Sequence, residues 1–207
     1  MMDFYGNFNN KNMTMIKATG SSWIYPNEFT QKCKKFAIEA HEAVNHKYDE
    51  YINYEFHLRM VVKNAERFIH LVPVEDRSHA IGGAWTHDTI EDTGQNYNSV
   101  KRNTSEKTAE IARACTNLTR GRTREERMPD WIYDDIRVTP YATFVKLCDR
   151  MANAQYSKMT GSDMFQKYQR EHSHFKKMLY TEGYLQEMWD YLEEIFDLPE
   201  GVSQSKG

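Results

Sequence analysis

From Phe29 onward the apolar residues of this chain return at three- and four-residue steps, with few helix-breaking residues between them. Phe29, Cys33, Phe36, Ala37, Ala40, His41 and Val44 trace one such face, which is the period of an amphipathic helix and not the alternation of a strand. Only 10 glycines and 5 prolines are spread over 207 residues. A sandwich or barrel with many turns needs more punctuation than that. The pattern predicts an all-α bundle of about seven or more helices.

Individual boundaries follow from capping residues and breakers. Asn27 is placed to cap the first helix, and the polar stretch Asn45–Asn53 interrupts it. A second helix is expected over Glu55–Leu71, stopping before Pro73, since a proline disfavours helix in the residue ahead of it. A third runs from Val74 or Glu75 to Thr86–Asp92, with Gly94 ending it. A fourth covers Thr104–Thr119, opened by Thr104 or Ser105. The segment GRTREERMPDW reads as a charged, irregular connection. Thr139, followed by Pro140 in the first helical position, opens a fifth helix that continues to about Lys158. Ser162 caps a sixth through Tyr180, and a last helix follows Gly183 and ends before Leu198–Pro199.

At roughly 100–200 residues per domain, this length implies one domain, placed at 23–198 between an N-terminal tail (1–22) and a C-terminal tail (199–207). Lys and Arg number 27 against 30 Asp and Glu, a formal charge of −3. That balance argues against a general nucleic-acid-binding protein. No apolar run approaches the ~18 residues of a membrane span, and the first residues lack the charged and apolar parts of a secretory signal. Cys33, Cys115 and Cys148 are odd in number and form no C-x-x-C pair, so a reducing, cytoplasmic setting is expected. The expected partner is a small molecule, with neither nucleic acid nor membrane, acting on a monomer or small homo-oligomer.

The chemistry concentrates in THDTIEDT. His87 and Asp88 offer one nitrogen and one oxygen ligand, and Glu91 and Asp92 return to the same face one helical turn later. Such crowding of negative charge needs a cation or a basic substrate, unless the segment is a solvated helix end. Asp149 stands in FVKLCDRMANA among core-type residues. A carboxylate there requires a partner, either a metal ion or a pair with Lys146, Arg150 or an arginine of another helix. His57 opens the apolar stretch of the second helix, as a hydrogen-bonded core residue or a ligand. Two imidazoles and two carboxylates without thiolate form a mixed donor set suited to Mn²⁺, Fe²⁺, Co²⁺ or Zn²⁺.

In the order H…HD…D, these four residues resemble the HD phosphohydrolase superfamily. HDTIEDTG, together with the later Val145-Lys146-Leu147-Cys148-Asp149-Arg150-Met151-Ala152-Asn153, is similar to the hydrolase domain of the Rel/Spo family and the small alarmone hydrolases, over roughly Phe29 to Tyr180. Ala40-His41 matches that family's A-H helix. The resemblance implies a helical bundle and Mn²⁺-dependent removal of 3′-pyrophosphate from (p)ppGpp or (p)ppApp. It implies metal ligation by His57, His87, Asp88 and Asp149, and handling of the attacking water or leaving group by Glu91 and Asp92. Asn153 would contact the sugar or 3′ side of the nucleotide.

Where that family carries Arg-Lys and then a small residue, this chain reads His46-Lys47-Tyr48, and both prolines around Tyr54 and His57 are missing. An arginine plane stacks on a purine and carries fixed charge, whereas His46 can stack but is largely neutral near pH 7. Base choice is therefore open, and a dNTP phosphohydrolase, an NADPH 2′-phosphatase and an inactive nucleotide-binding module are the alternatives. Arg120, Arg122, Arg124 and Arg127 are either a solvated run or phosphate contacts, with Arg120 and Arg124 the candidates for substrate binding. The aromatic C-terminal third reads as core.

Overall fold

The computed structural model describes residues 27–119, 126 and 129–197. Both expected tails and Arg120, Arg122, Arg124 and Arg127 lie outside the described residues. In chain order the helices are α1 (Glu28–Ala43), α2 (Glu55–Phe68), α3 (Arg77–Thr86), α4 (Thr89–Asp92), α5 (Tyr97–Asn103), α6 (Glu106–Cys115), α7 (Ile132–Val138), α8 (Ala142–Thr160), α9 (Met164–Leu179) and α10 (Gln186–Ile195). No strand occurs among the described residues; one isolated bridge, Lys47 to Asn53, pinches the loop between α1 and α2.

Two helices organise the rest. α8 packs against α2, α3, α6, α7, α9 and α10, and it buries Phe144, Val145, Leu147, Cys148, Met151 and Ala152. A helix apolar around most of its circumference belongs in the middle of a bundle. α3 packs against α1, α2 and α6 and buries every residue from Ala80 to Thr86. Its approach to the neighbours depends on glycine. A Cβ at Gly83 would stand 2.6 Å from Ile111 Cγ2, and one at Gly82 would stand 2.9 Å from Thr108 Oγ1.

Several boundaries agree with the sequence reading. Asn27 caps α1 through a reciprocal capping box with Thr30, and Ser105 caps α6. α2 passes into a 3₁₀ turn at Ile69–Leu71, and Val72 is extended ahead of Pro73, as the proline requires. One cap differs: Ser162, expected to cap the sixth helix, stands one residue ahead of the N-cap of α9, Asp163, which makes no side-chain capping bond. The Ser162 hydroxyl accepts the Met164 N–H at 3.3 Å. The C-terminal aromatics pack as expected: Phe175, Trp189 and Phe196 are buried, with only Tyr184 substantially exposed. All three cysteines are buried and free.

Other boundaries need correction. The expected third helix is three pieces: a 3₁₀ turn at Val74–Asp76, then α3, then α4 after a break at His87–Asp88. At the break, Thr86 Oγ1 donates to the Gly82 carbonyl and His87 Nδ1 meets the Ala84 carbonyl at 3.0 Å. Polar side chains there compete for carbonyls that the helix ladder would use. Thr139 does not cap the fifth helix; it is extended at the end of α7, and α8 begins only after Tyr141 at φ +65°. The Tyr141 hydroxyl is anchored on Asp76 Oδ2 at 2.7 Å. α5 and α7 were not foreseen. Each is seven residues, too short to show a sustained period.

Candidate metal centre

Three separate elements deliver the four candidate ligands. His57 lies in the first turn of α2, fully buried. His87 and Asp88 occupy the break between α3 and α4, and Asp149 projects from the middle of α8. Donor atoms of His57, His87 and Asp88 all lie within 4.8 Å of one another. His57 Nε2 is 3.6 Å from Asp88 Oδ2 and 3.3 Å from Asp149 Oδ1. His87 Nε2 is 2.9 Å from Asp88 Oδ2 and 3.8 Å from Asp149 Oδ1.

The protonation pattern fits a cation. The Ala84 carbonyl only accepts, so His87 Nδ1 carries the proton of the bond between them. In the neutral ring Nε2 is then a bare lone pair; it is buried with no hydrogen-bond donor and it faces the Asp88 carboxylate. Two acceptors at that separation repel unless positive charge joins them. A ligating histidine that donates its other nitrogen to a carbonyl is the usual way a metal's imidazole is oriented. The His57 ring also faces the Asp88 and Asp149 carboxylates. Burial lowers its pKa, but Asp149 and Asp88 outweigh that and raise it to about 9. The residues present therefore fit a divalent ion with mixed nitrogen and oxygen ligation.

Further groups fix the carboxylates. Lys146 Nζ donates to Asp149 Oδ2 at 3.0 Å and Asn153 Nδ2 to Asp149 Oδ1 at 2.5 Å. Asp149 thus combines both sequence alternatives, an ion pair with Lys146 and a place at the cluster, while Arg150 pairs instead with Glu171. Burial alone would raise its carboxyl, but Lys146 and His57 hold it well below the ordinary range. The Tyr54 hydroxyl donates to Asp88 Oδ2. Tyr54 and Tyr48 both belong to the site and were missed as functional candidates. Tyr54 stands three residues before His57, within the helical spacing that could have pointed to it.

Glu91 and Asp92 lie beyond the cluster and differ from each other. Glu91 Oε2 accepts the Asn117 N–H at 2.7 Å, and burial is the largest cause of its raised pKa. That bond also explains a boundary. α6 ends at Cys115, short of the expected Thr119, and the next residues leave the helix to reach the carboxylate. Asp92 lies at the rim with 31% of its side chain exposed. Partial burial, then the charges of Asp88 and Glu91, push its carboxyl up to about 7.

His46 and Lys47 flank a cavity of about 190 Å³ lined also by His41, Asn53 and Tyr54. His46 stacks on Tyr54 at 4.0 Å and Tyr54 on His41 at 4.4 Å. His41 and His46 share a hydrogen bond of 2.9 Å between their Nδ1 atoms. Burial lowers the pKa of both imidazoles, that of His41 to about 3. Lys47 is exposed and its ammonium rests on Asn53 Oδ1. Asn153 stands beside the cluster with both ends of its amide engaged, by Asp149 and by the Tyr48 hydroxyl. Arg120 and Arg124 lie outside the described residues, and no helix among those described is long and apolar enough to cross a membrane.

No protein-family model matches the chain, and no curated protein matches it. Among solved structures, it is similar to one described as a metazoan ortholog of SpoT that hydrolyzes ppGpp and plays a role in starvation responses. The TM-score is 0.62 at 18% identity, covering 83% of this chain and 97% of that one. The two proteins share a fold, and the all-α bundle expected from the sequence is the architecture observed among the described residues.

Proposed function

We propose that this chain is a metal-dependent phosphohydrolase that removes 3′-pyrophosphate from a guanosine or adenosine tetra- or pentaphosphate alarmone. The observation that carries the reading is the meeting of His57, His87, Asp88 and Asp149 at one point, with the Glu91–Asp92 pair one turn beyond. The fold shared with a protein that hydrolyzes ppGpp supports it.

His57, His87, Asp88 and Asp149 would hold the ion, with Mn²⁺ our first choice and Fe²⁺, Co²⁺ or Zn²⁺ compatible with the same donors. Such an ion supplies a lowered pKa for water and neutralisation of phosphoryl charge. The protein's own groups do the rest. Glu91, tied to the Asn117 N–H, keeps a fixed direction beside the reacting group. Asp92, with its carboxyl near 7, exchanges a proton most readily in neutral solution. His46 offers a neutral ring to the base where a charged arginine would select more strictly, so adenine and guanine alarmones are both substrates under this reading. The same neutrality favours, as a second reading, another phosphorylated nucleotide such as NADPH or a dNTP.

The test is metal analysis of the purified protein, then incubation with Mn²⁺ and a panel of ppGpp, pppGpp, ppApp, NADPH and dNTPs. Release of pyrophosphate from the 3′ side supports the proposal. Inorganic phosphate or triphosphate as the product supports the second reading, and recovery of every nucleotide intact refutes both.

A further inference from the structure

The two histidines of the cluster are not held alike. His87 is oriented by its Nδ1 bond to the Ala84 carbonyl, whereas His57 Nδ1 is buried without a partner. What lies against His57 is an aromatic ring. Tyr48 stacks on it with centroids 4.7 Å apart and planes 19° from parallel. The Tyr48 hydroxyl then reaches past His57 to α8 and donates to Asn153 Oδ1 at 3.0 Å.

That bond completes a chain in which every donor has a matching acceptor. Asp149 is ionised and only accepts, so Asn153 must turn its NH₂ end toward Asp149 Oδ1, as observed at 2.5 Å. Its carbonyl end is left facing outward, and the Tyr48 hydroxyl satisfies it. Lys146 holds the other oxygen of Asp149. One tyrosine thus restrains His57 through its ring and Asp149 through Asn153.

The loop bearing Tyr48 is built to hold it there. Asp49 Oδ1 accepts the N–H groups of Tyr51 and Ile52 at 3.0 and 3.1 Å, and its other oxygen receives the Tyr156 hydroxyl. Tyr48 N donates to the Ile52 carbonyl at 2.8 Å. Tyr156 also packs edge-on against Tyr48 at 4.8 Å. The loop is therefore fastened to α8 at two points one helical turn apart.

We propose that Tyr48 is a positioning residue of the metal centre, acting on His57 by stacking and on Asp149 through Asn153. Asn153 is accordingly a support for a candidate ligand, with both ends of its amide occupied. The inference rests on the metal-site reading above, but not on the identity of the substrate.

Mn²⁺ affinity, measured by calorimetry or by the electron-spin signal of free Mn²⁺, tests it independently of turnover. Supporting groups around metal ligands are typically worth about 10–100-fold in affinity. Tyr48→Phe keeps the ring and should weaken Mn²⁺ binding about tenfold; Tyr48→Leu loses both arms and should weaken it further. Asn153→Ala removes the bond to Asp149 as well as the one from Tyr48 and should weaken binding at least as much as Tyr48→Phe. The double variant should be no weaker than Asn153→Ala alone, because the hydroxyl acts only through Asn153. Tyr48 is only partly buried, so Tyr48→Phe is expected to fold, with the thermal midpoint as the check. Unchanged Mn²⁺ affinity in Tyr48→Phe and Tyr48→Leu overturns the proposal, and so does full additivity with Asn153→Ala. The hydrolase reading survives either result; it fails instead if the wild type binds Mn²⁺ and cleaves no nucleotide, an outcome that leaves Tyr48 in its role.

Discussion

Asp149 Oδ1 stands 3.3 Å from Nε2 of His57, across the contact between the central helix α8 and α2. On its other side the same carboxylate carries Lys146. The aspartate is thus shared between a permanent cation of the protein and the place where, under the proposed function, an exchangeable one would bind. Lys146 depends on that arrangement. Burial lowers its pKa, yet the attraction of Asp149 and then Asp88 keeps the ammonium charged well above the ordinary range.

Removing one side of a buried pair leaves the other uncompensated, at a cost of about 3–5 kcal/mol. Asp149→Ala should lose roughly that much stability in chelator, measured by denaturant unfolding. The Asp149→Ala, Lys146→Met double variant should recover a large part of it. No recovery would mean that Asp149 contributes to folding through something other than this pair.

Ligands and proton-handling groups separate by what they bind. Asp88→Ala and Asp149→Ala should abolish Mn²⁺ binding and turnover together. Glu91→Gln and Asp92→Asn should retain the metal and lower kcat by about 10²–10⁴-fold, the usual worth of a general acid or base. Full metal occupancy in both alanine variants would refute the ligand assignment.

The raised carboxyl of Asp92 gives a pH dependence with a definite sign. An aspartate near 3.9 in the unfolded chain and near 7 when folded favours folding while it is protonated. Its contribution is complete below about pH 4 and is lost as pH rises through 7. In chelator, Asp92→Asn should therefore gain in thermal midpoint relative to wild type as pH rises from 4 to 7. His41 acts in the opposite sense: its depressed pKa contributes stability above about 6.5 that is lost as pH falls through 3. The difference between variant and wild type, measured pH by pH, isolates Asp92. A constant difference would show that its carboxyl titrates normally.

Packing of α3 on α6 should be sensitive to a single methyl group. Gly83→Ala would place Cβ 2.6 Å from Ile111 Cγ2, and overpacking of this kind costs about 1–3 kcal/mol. Adding Ile111→Ala should restore part of the loss by removing that atom, whereas Ile111→Val keeps it and should restore less. Because His87 and Asp88 sit at the end of α3, Mn²⁺ affinity should fall along with stability. If Gly83→Ala matches wild type in both, the helices separate more readily than the contact implies.

Local signals determined much of this protein. The three- and four-residue apolar period, Asn27, Ser105 and Pro73 placed most helices, because capping and proline geometry act within one turn of chain. The family resemblance carried by HDTIEDTG and Val145–Asn153 singled out His57, His87, Asp88 and Asp149 as candidate ligands, since two motifs of fixed internal spacing are legible without knowing how they meet. Only the tertiary structure decided the rest. It broke the helix at His87–Asp88, ended α6 early so that Asn117 could reach Glu91, tied Asn153 to Asp149, and brought Tyr48 and Tyr54 against the cluster. The break rests on bonds local to α3; each of the others depends on a partner from another helix or loop, and a hydrogen bond or ring contact between distant segments leaves no period in the sequence. The meeting of α2, α3 and α8 at one point is likewise a property of packing, where apolar faces bring four polar side chains together.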